Sequence, residues 1–217
     1  MQAALPQPGP PNHRGSFCIF GKKERKKLNI EIDISSTVLR TQRLLLRPFT
    51  MDDLEDFYEY AKVDGVGQMA GWWPHKDREE SKMILTSFME KKNVWALEKD
   101  GKVVGSLGIH RYRSDRYPEF DAQRGCEIGY VLSKEYWGQG LMPEAVKEVL
   151  RYLFEEKTLD VVFCGFFLRN PQSRRVNEKC GFHFYAYEDY ETRYGTVEPS
   201  QVNILTREEW ENLQLKG

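Results

Sequence analysis

Glu127-Ile-Gly-Tyr-Val-Leu-Ser-Lys-Glu-Tyr-Trp-Gly138-Gln-Gly140-Leu-Met-Pro143-Glu-Ala145 decides the fold. An alternating apolar run leads into a turn with two glycines, and a helix opens behind it. Gly138 and Gly140 remove the Cβ atoms that would keep a ligand off the backbone. Pro143 suits a first helical turn, where its missing N–H is no loss. Met142, Ala145, Val146, Val149, Leu150, Leu153 and Phe154 then fall at helical spacing, with Glu144, Lys147, Glu148 and Arg151 opposite them. Unpaired amides and the helix dipole make such a start an anion site, and a phosphate-bearing ligand fits it. The same features also serve a plain strand-to-helix turn with close packing.

Two familiar phosphate loops are excluded. No Gly-x4-Gly-Lys-Ser/Thr occurs, so a Walker-type site is absent from the sequence. The dinucleotide pattern needs a third glycine where Pro143 stands and an acidic residue ending the next strand, whereas Asp160 precedes that strand.

Composition narrows the classes further. A chain of 217 residues suits one domain with a sizeable core, and 32 basic against 33 acidic residues give a net charge of -1. That balance supplies no field for nucleic acid or an anionic membrane, and no apolar run reaches the ~18 residues of a membrane span. Lys22-Lys-Glu-Arg-Lys-Lys27 reads as a solvated cluster. Cys18, Cys126, Cys164 and Cys180 are scattered like the reduced thiols of a cytoplasmic protein, and His13, His75, His110 and His183 lack metal spacing. Residues 1–36, with Pro6, Pro8, Pro10 and Pro11, read as a flexible extension ahead of a domain over 37–217.

Within that domain, Val38 to Phe49 suggests one strand, and Thr50 with Asp53 caps a helix. Asp77 and Glu80 cap a second. Between them the loop Gly65 to His75, with Trp72 and Trp73, is a candidate pocket wall. Asn93–Lys99 and Lys102–His110 form a hairpin through Asp100-Gly101. Tyr112 to Gln123 is a polar excursion. Val161–Leu168 is apolar throughout, as in a strand covered on both faces, and completes a βαβ unit. Asn170 and Pro171 then open a further helix that Gly181 closes. Mixed α/β with one central sheet follows, and two adjacent helix starts flank a crevice suited to a ligand.

These motifs resemble a known family. Tyr136-Trp-Gly-Gln-Gly-Leu-Met-Pro-Glu-Ala145 is similar to the acetyl-CoA pyrophosphate loop of the GNAT superfamily of N-acetyltransferases, in its RimJ/RimL-like branch. Asn170-Pro-Gln-Ser-Arg-Arg-Val-Asn-Glu-Lys-Cys-Gly-Phe182 is similar to that branch's second signature, Leu39 to Pro48 to its first strand and Gly105 to Ile109 to its third. The resemblance covers about residues 37 to 213. It implies a GNAT-like acyl-CoA N-acyltransferase fold, a twisted mixed sheet with two parallel strands splayed around pantetheine. It also implies that Tyr130, Val131 and Leu132 pair with pantetheine through their backbone. The amides of Trp137, Gly138, Gln139, Gly140, Leu141 and Met142 would hold the pyrophosphate. Asn170 would contact the pantetheine arm, and Ser173 would sit near the thioester sulfur. Two positions depart from the wider superfamily: Glu135 replaces Gln or Arg before the loop, and Asn177 replaces the tyrosine that protonates the thiolate.

Acyl transfer to an amine needs a neutral nitrogen, which an α-amine (pKa ~7.7–8.0) supplies more readily than a lysine (~10.4). A carboxylate in an apolar setting is a suitable base. Glu127 is the candidate, with Asp115 and Glu119 as rivals; pairing with Arg124 is its alternative use. Cys126 offers a covalent route, against which direct attack on the thioester is preferred. Trp72, Trp73, His75 and Tyr112 are expected to shape the acceptor pocket. The expected partners are acetyl-CoA and a primary amine (a protein N-terminus or a small molecule), with no metal, nucleic acid or membrane, for a monomer or homodimer. A non-catalytic acyl-CoA-binding module is the competing reading.

Overall fold

The structure, a computed structural model, describes residues 29–215. The reading of residues 1–28 as an extension lies outside the described residues. The boundary drawn at 36/37, however, cuts through a packed segment. Asn29 bridges to Gly125, its side chain exchanges hydrogen bonds with the Tyr112 backbone at 2.6 and 3.1 Å, and Ile32 and Ile34 are buried. Alternating isoleucines in Asn29-Ile-Glu-Ile-Asp-Ile34 carry this edge, and the proline-rich start masks their signal.

The stretch Val38 to Phe49 is not one strand but a hairpin of β1 (Leu39–Arg40) and β2 (Leu45–Pro48). Thr41 makes the reversal. Its N–H donates to the Leu44 carbonyl and its hydroxyl accepts from the Leu44 N–H, both at 2.9 Å. A hydroxyl standing in for backbone turns the chain without leaving a glycine behind. Thr50 and Asp53 form the expected capping box over a short 3-10 turn that continues into α1 (Leu54–Ala61). Asp77 caps α2 (Arg78–Lys91) by accepting from the Glu80 N–H at 2.9 Å.

The hairpin of β3 (Val94–Lys99) and β4 (Lys102–His110) turns at Asp100 and Gly101, with φ of 52° and 80°. Two successive left-handed residues match the twist of the paired strands. Next come β5 (Gly125–Leu132), α3 (Leu141–Arg151) with a wider turn over Tyr152–Glu156, β6 (Val161–Phe167) and α4 (Pro171–Lys179). A second hairpin, β7 (His183–Glu191) and β8 (Val197–Thr206), and α5 (Arg207–Gln214) complete the described chain.

The eight strands form one sheet in the order β1-β2-β3-β4-β5-β6-β8-β7. Among the described strands, β5 and β6 are the parallel pair and all other neighbours run antiparallel. All seven apolar residues expected on the core face of α3 and its extension are buried, packing on Cys126 and Ile128 of β5. Burying each large side chain is worth roughly 1.5–3 kcal/mol. Helices α1 and α2 cover the other face over Val94, Ala96 and Val103. Beyond them Tyr112, Tyr117 and Phe120 of the excursion pack on Phe163. Helices thus lie on both faces of a mixed sheet.

Candidate active site

β5 and β6 pair at Gly125, Cys126 and Glu127 with Val161, Val162 and Phe163, and no further. Both strands continue, to Leu132 and Phe167, so they diverge into a fork behind Glu127. Strand alternation gives the fork two walls. Cys126, Ile128, Tyr130 and Leu132 face α3 and α4, while Glu127, Gly129 and Val131 face the α1/α2 side.

Glu127 sits at the crotch of the fork, directly across from His110 on β4 and Phe163 on β6. Burial pushes its carboxyl up to about 7, the nearby Glu188 carboxylate adds to this, and Arg113 opposes it. Arg124 is not its partner: that guanidinium donates to the Lys157 carbonyl at 3.0 Å. The rivals are committed elsewhere. Asp115 is exposed beside Arg113, and Glu119 accepts from the Tyr185 hydroxyl. Glu188 is itself held by Arg116 at 3.0 Å and by the Tyr117 hydroxyl at 2.9 Å. Two residues past the last paired position stand Gly129 and Gly165, one on each arm. A Cβ on either would meet nothing closer than 3.7 Å, that contact being Glu127 Oε1 against Gly165. Neither glycine is required by packing, so each leaves bare backbone at the mouth of the fork.

The glycine turn is built as the sequence implies. Gly138 and Gly140 have φ of 75° and 76°, and a 3-10 turn over Lys134–Tyr136 precedes them. The Trp137 indole donates to the Leu132 carbonyl at 2.8 Å, which anchors the loop to the end of β5. Arg43, from the β1–β2 turn, donates to the Gln139 carbonyl at 2.9 Å and to Glu144 at 2.7 Å. Glu144 is the acidic residue in the first turn of α3. Burial alone would raise its pKa, but Thr41 and Arg43 hold its carboxyl below the usual range. The loop tip at Gly138 and Gln139 is solvent-exposed, so an anion can reach its amides without meeting a free carboxylate from Glu144. Arg43 had no sequence signal, because the contact joins residues about a hundred positions apart.

On the other wall, Asn170 caps α4 by accepting from the Ser173 N–H at 3.1 Å and donates to the Met69 carbonyl at 3.3 Å. Ser173 Oγ lies 2.9 Å from the Tyr130 hydroxyl. Asn177 is fully buried and donates to that same hydroxyl at 3.1 Å. The Tyr130 side chain was therefore missed by a reading that used only its backbone. Burial raises the thiols of Cys126, Cys164 and Cys180, the last two to about 12. All three are buried and carry no thiolate for a covalent route at neutral pH.

The acceptor-side expectations divide. The loop from Gly65 to His75 does reach the fork: Arg169 donates to the Gln68 carbonyl and the Arg193 N–H to that of Gly71, both at 2.9 Å. Trp72 is half-buried against His75, and Trp73 is exposed beside Tyr194 with ring centroids 4.5 Å apart. His75 is not a pocket residue. It is buried edge-on to Phe57, with Nδ1 2.7 Å from Ser81 Oγ, and burial lowers its pKa. Tyr112 is not one either. It is buried, stacks on Phe163 at 4.7 Å and donates to the Phe120 carbonyl at 3.0 Å. Each ring makes a hydrogen bond inside the protein, which suits core aromatics.

Two open surface recesses, of about 500 and 320 Å³, lie away from the fork, one at Ser36–Arg40 beside Tyr152 and one at Gly181 beside Leu213. Among the described residues no group of three or more His, Cys, Asp or Glu is placed to hold a metal ion. No described helix is long and apolar enough to cross a membrane.

Known proteins share this arrangement. The uncharacterized N-acetyltransferase YoaA of Bacillus subtilis is 28% identical over 181 residues, spanning 76% of this chain and 98% of its own. The FsC-acetyl coenzyme A-N(2)-transacetylase of Aspergillus fumigatus is 30% identical over 123 residues, 55% of this chain and 52% of its own. The crystal structure of a GNAT-family acetyltransferase from Bacillus anthracis superposes with a TM-score of 0.68 at 22% identity, over 79% of this chain and 99% of that one. Residues 43–183 match the acetyltransferase (GNAT) domain, and with the splayed parallel pair and glycine-turn helix in place, the chain belongs to the GNAT acetyltransferase family.

Proposed function

We propose that this acetyltransferase moves an acetyl group from acetyl-CoA to a primary amine, on a protein N-terminus or a small molecule, by direct attack on the thioester. The observation that carries the reading is Glu127, a carboxyl pushed up to about 7 at the crotch of the fork. A base with that pKa is half ionised near neutrality and strong enough to take a proton from an ammonium or tetrahedral nitrogen. The site supplies what the rest of the reaction needs. Pantetheine would lie along Tyr130, Val131 and Leu132, and the pyrophosphate on the amides between Trp137 and Met142. Asn170 would border the arm, and Ser173 would stand near the sulfur. Attack forms the C–N bond and breaks the C–S bond, with the amine proton passing to Glu127. The raised pKa values of the three buried thiols favour this route over a cysteine acyl-enzyme.

Support for acetyl-CoA comes from the glycine turn and from the relative whose name states that donor. The two signature helices support the RimJ/RimL-like branch. Trp72 and Trp73 border the acceptor entrance, in a loop tied to both β6 and the β7–β8 hairpin. Calorimetric titration with acetyl-CoA, CoA and dephospho-CoA tests the donor site. Release of CoA thiol then tests turnover on a panel of peptides with free Ser, Ala or Met N-termini, spermidine and lysine. Micromolar binding and turnover on at least one amine are expected. Binding with no turnover on any would favour the non-catalytic acyl-CoA module, and absence of binding would sink both readings.

A further inference from the structure

Asn177 stands where the wider superfamily places a tyrosine, and its amide is fully engaged. Its Nδ2 donates to the Ser173 carbonyl at 3.0 Å, the Tyr130 hydroxyl at 3.1 Å and Cys164 Sγ at 3.4 Å. Its Oδ1 accepts from Asn203 Nδ2 at 3.2 Å, and Asn203 Oδ1 accepts from Gln201 Nε2 at 2.7 Å. The Ser173 carbonyl fixes the direction of this row. A carbonyl only accepts, so the Asn177 NH2 must face it; flipping the amide would set oxygen against oxygen. Donation therefore runs Gln201 to Asn203 to Asn177 to Tyr130.

The Tyr130 oxygen receives at one end and has one proton to give. The Ser173 carbonyl, at 3.3 Å, already holds the Asn177 amide, whereas Ser173 Oγ is at 2.9 Å. The phenol donates to Oγ. Burial in turn raises the phenol's pKa, so that the proton stays in place. Ser173 then keeps its own hydroxyl hydrogen for another acceptor, and among the described residues no protein group accepts it.

Resting on the transferase reading above, we propose that Tyr130 is a positioning residue that replaces the missing helix tyrosine from the strand, holding the Ser173 hydroxyl with its hydrogen turned into the fork. When the C–S bond breaks, its electron pair goes to sulfur. Ser173 stabilises that thiolate by a hydrogen bond until the proton taken from the amine by Glu127 reaches it through water. A serine and a tyrosine from two elements thus do what one side chain does elsewhere in the superfamily.

The test uses the full chain, acetyl-CoA and the best acceptor from the amine panel. Tyr130→Phe should lower kcat about 10- to 100-fold at pH 7, with acetyl-CoA KM little changed and the melting temperature lower by a few degrees. Because this hydrogen bond acts on the departing thiolate whatever the pH, the ratio of native to variant kcat should be the same at pH 7 and pH 9. Added to Ser173→Ala, Tyr130→Phe should cause no further loss. A loss that multiplies with Ser173→Ala, or that appears in acetyl-CoA KM instead of kcat, overturns the proposal. If Tyr130→Phe does not fold, Asn177→Leu frees the phenol to turn to the Ser173 carbonyl and must lower kcat with no further loss when added to Ser173→Ala. Native protein that turns over while both variants match it sinks this inference alone; native protein inactive on every amine sinks the transferase reading with it.

Discussion

The two walls of the fork contrast in how they treat polar groups. On the α3/α4 wall, Tyr130, Ser173, Asn177 and Asn203 are joined in one row in which each buried amide or phenol has a partner. On the α1/α2 wall, Glu127 faces the gap, and its pKa is set by burial and by charges rather than by any hydrogen bond. Burying a polar group without a partner costs free energy, so a fold keeps one only where something else requires it. On the proposed reading the fully paired wall orients and the wall that carries Glu127 reacts. Perturbing each wall should therefore give opposite balances of stability and activity.

Glu127→Gln breaks the contrast most sharply. It should cut kcat by ~10²–10³, the usual scale of general-base loss. In the native protein kcat should rise with pH through about 7 as Glu127 ionises, and the variant should lose that limb. Stability should move the other way. Because the folded pKa lies above the unfolded value, the folded state holds an extra proton between about 4.5 and 7, and native stability falls across that window as pH rises. Above it the charged carboxylate is a standing cost, and its removal should stabilise by on the order of 1–3 kcal/mol at pH 8 and have no effect near pH 4. Thermal melts of both proteins at pH 4 and 8 check the sign. A variant that is less stable at pH 8 would show that Glu127 is structural.

The mouth of the fork gives a second, smaller test. Gly129→Ala and Gly165→Ala place a methyl where the fold has room, the tightest contact being 3.7 Å from Glu127 Oε1. Replacing a strand glycine by alanine without strain should leave stability unchanged or raise it by roughly 0.5–1 kcal/mol. Turnover should nonetheless fall about tenfold, because a positioned reaction tolerates little displacement. If activity is untouched, the acceptor approaches from elsewhere.

The third test moves to the glycine turn. Gly138→Ala meets no atom within 4 Å but must adopt φ of 75°, which costs ~1–2 kcal/mol for a residue with a Cβ. The expected result is a several-fold rise in acetyl-CoA KM with kcat preserved, measured by initial rates. On the proposed reading this position binds the donor and takes no part in the chemistry.

Legibility in the sequence follows the range of the interaction that fixes each feature. The strand–turn–helix units were readable because left-handed glycines, Pro143, Pro171 and the Asn170 cap act within a few residues of themselves. The apolar run of β6 and the core face of α3 were readable from period alone. The β1–β2 reversal was not, since Thr41 turns the chain with a hydroxyl instead of a glycine. The β7–β8 hairpin went unassigned. Glu127 could be placed by alternation, but its raised pKa depends first on burial in the assembled fold and then on Glu188, more than fifty residues later. The role of the Tyr130 side chain needs α4 and β8 folded against β5. His75 was misplaced because its partner Ser81 sits on the next helix, and the tryptophans around it suggested a pocket.

Tyr112 gives the last and smallest effect, and it separates the two kinds of aromatic near the site. The ring stacks on Phe163, its backbone is held by the Asn29 side chain, and its hydroxyl serves the Phe120 carbonyl inside the excursion. Tyr112→Phe keeps the stacking and removes only that hydrogen bond, while the Phe120 carbonyl still accepts from the Gln123 N–H at 2.8 Å. Such a loss costs about 1 kcal/mol, which would appear as a fall of a few degrees in melting temperature. For every amine the protein accepts, kcat and KM should stay at their native values, because the hydroxyl never reaches the fork. A change in acceptor preference would restore Tyr112 to the pocket and shift the acceptor path toward the excursion, away from Trp72 and Trp73.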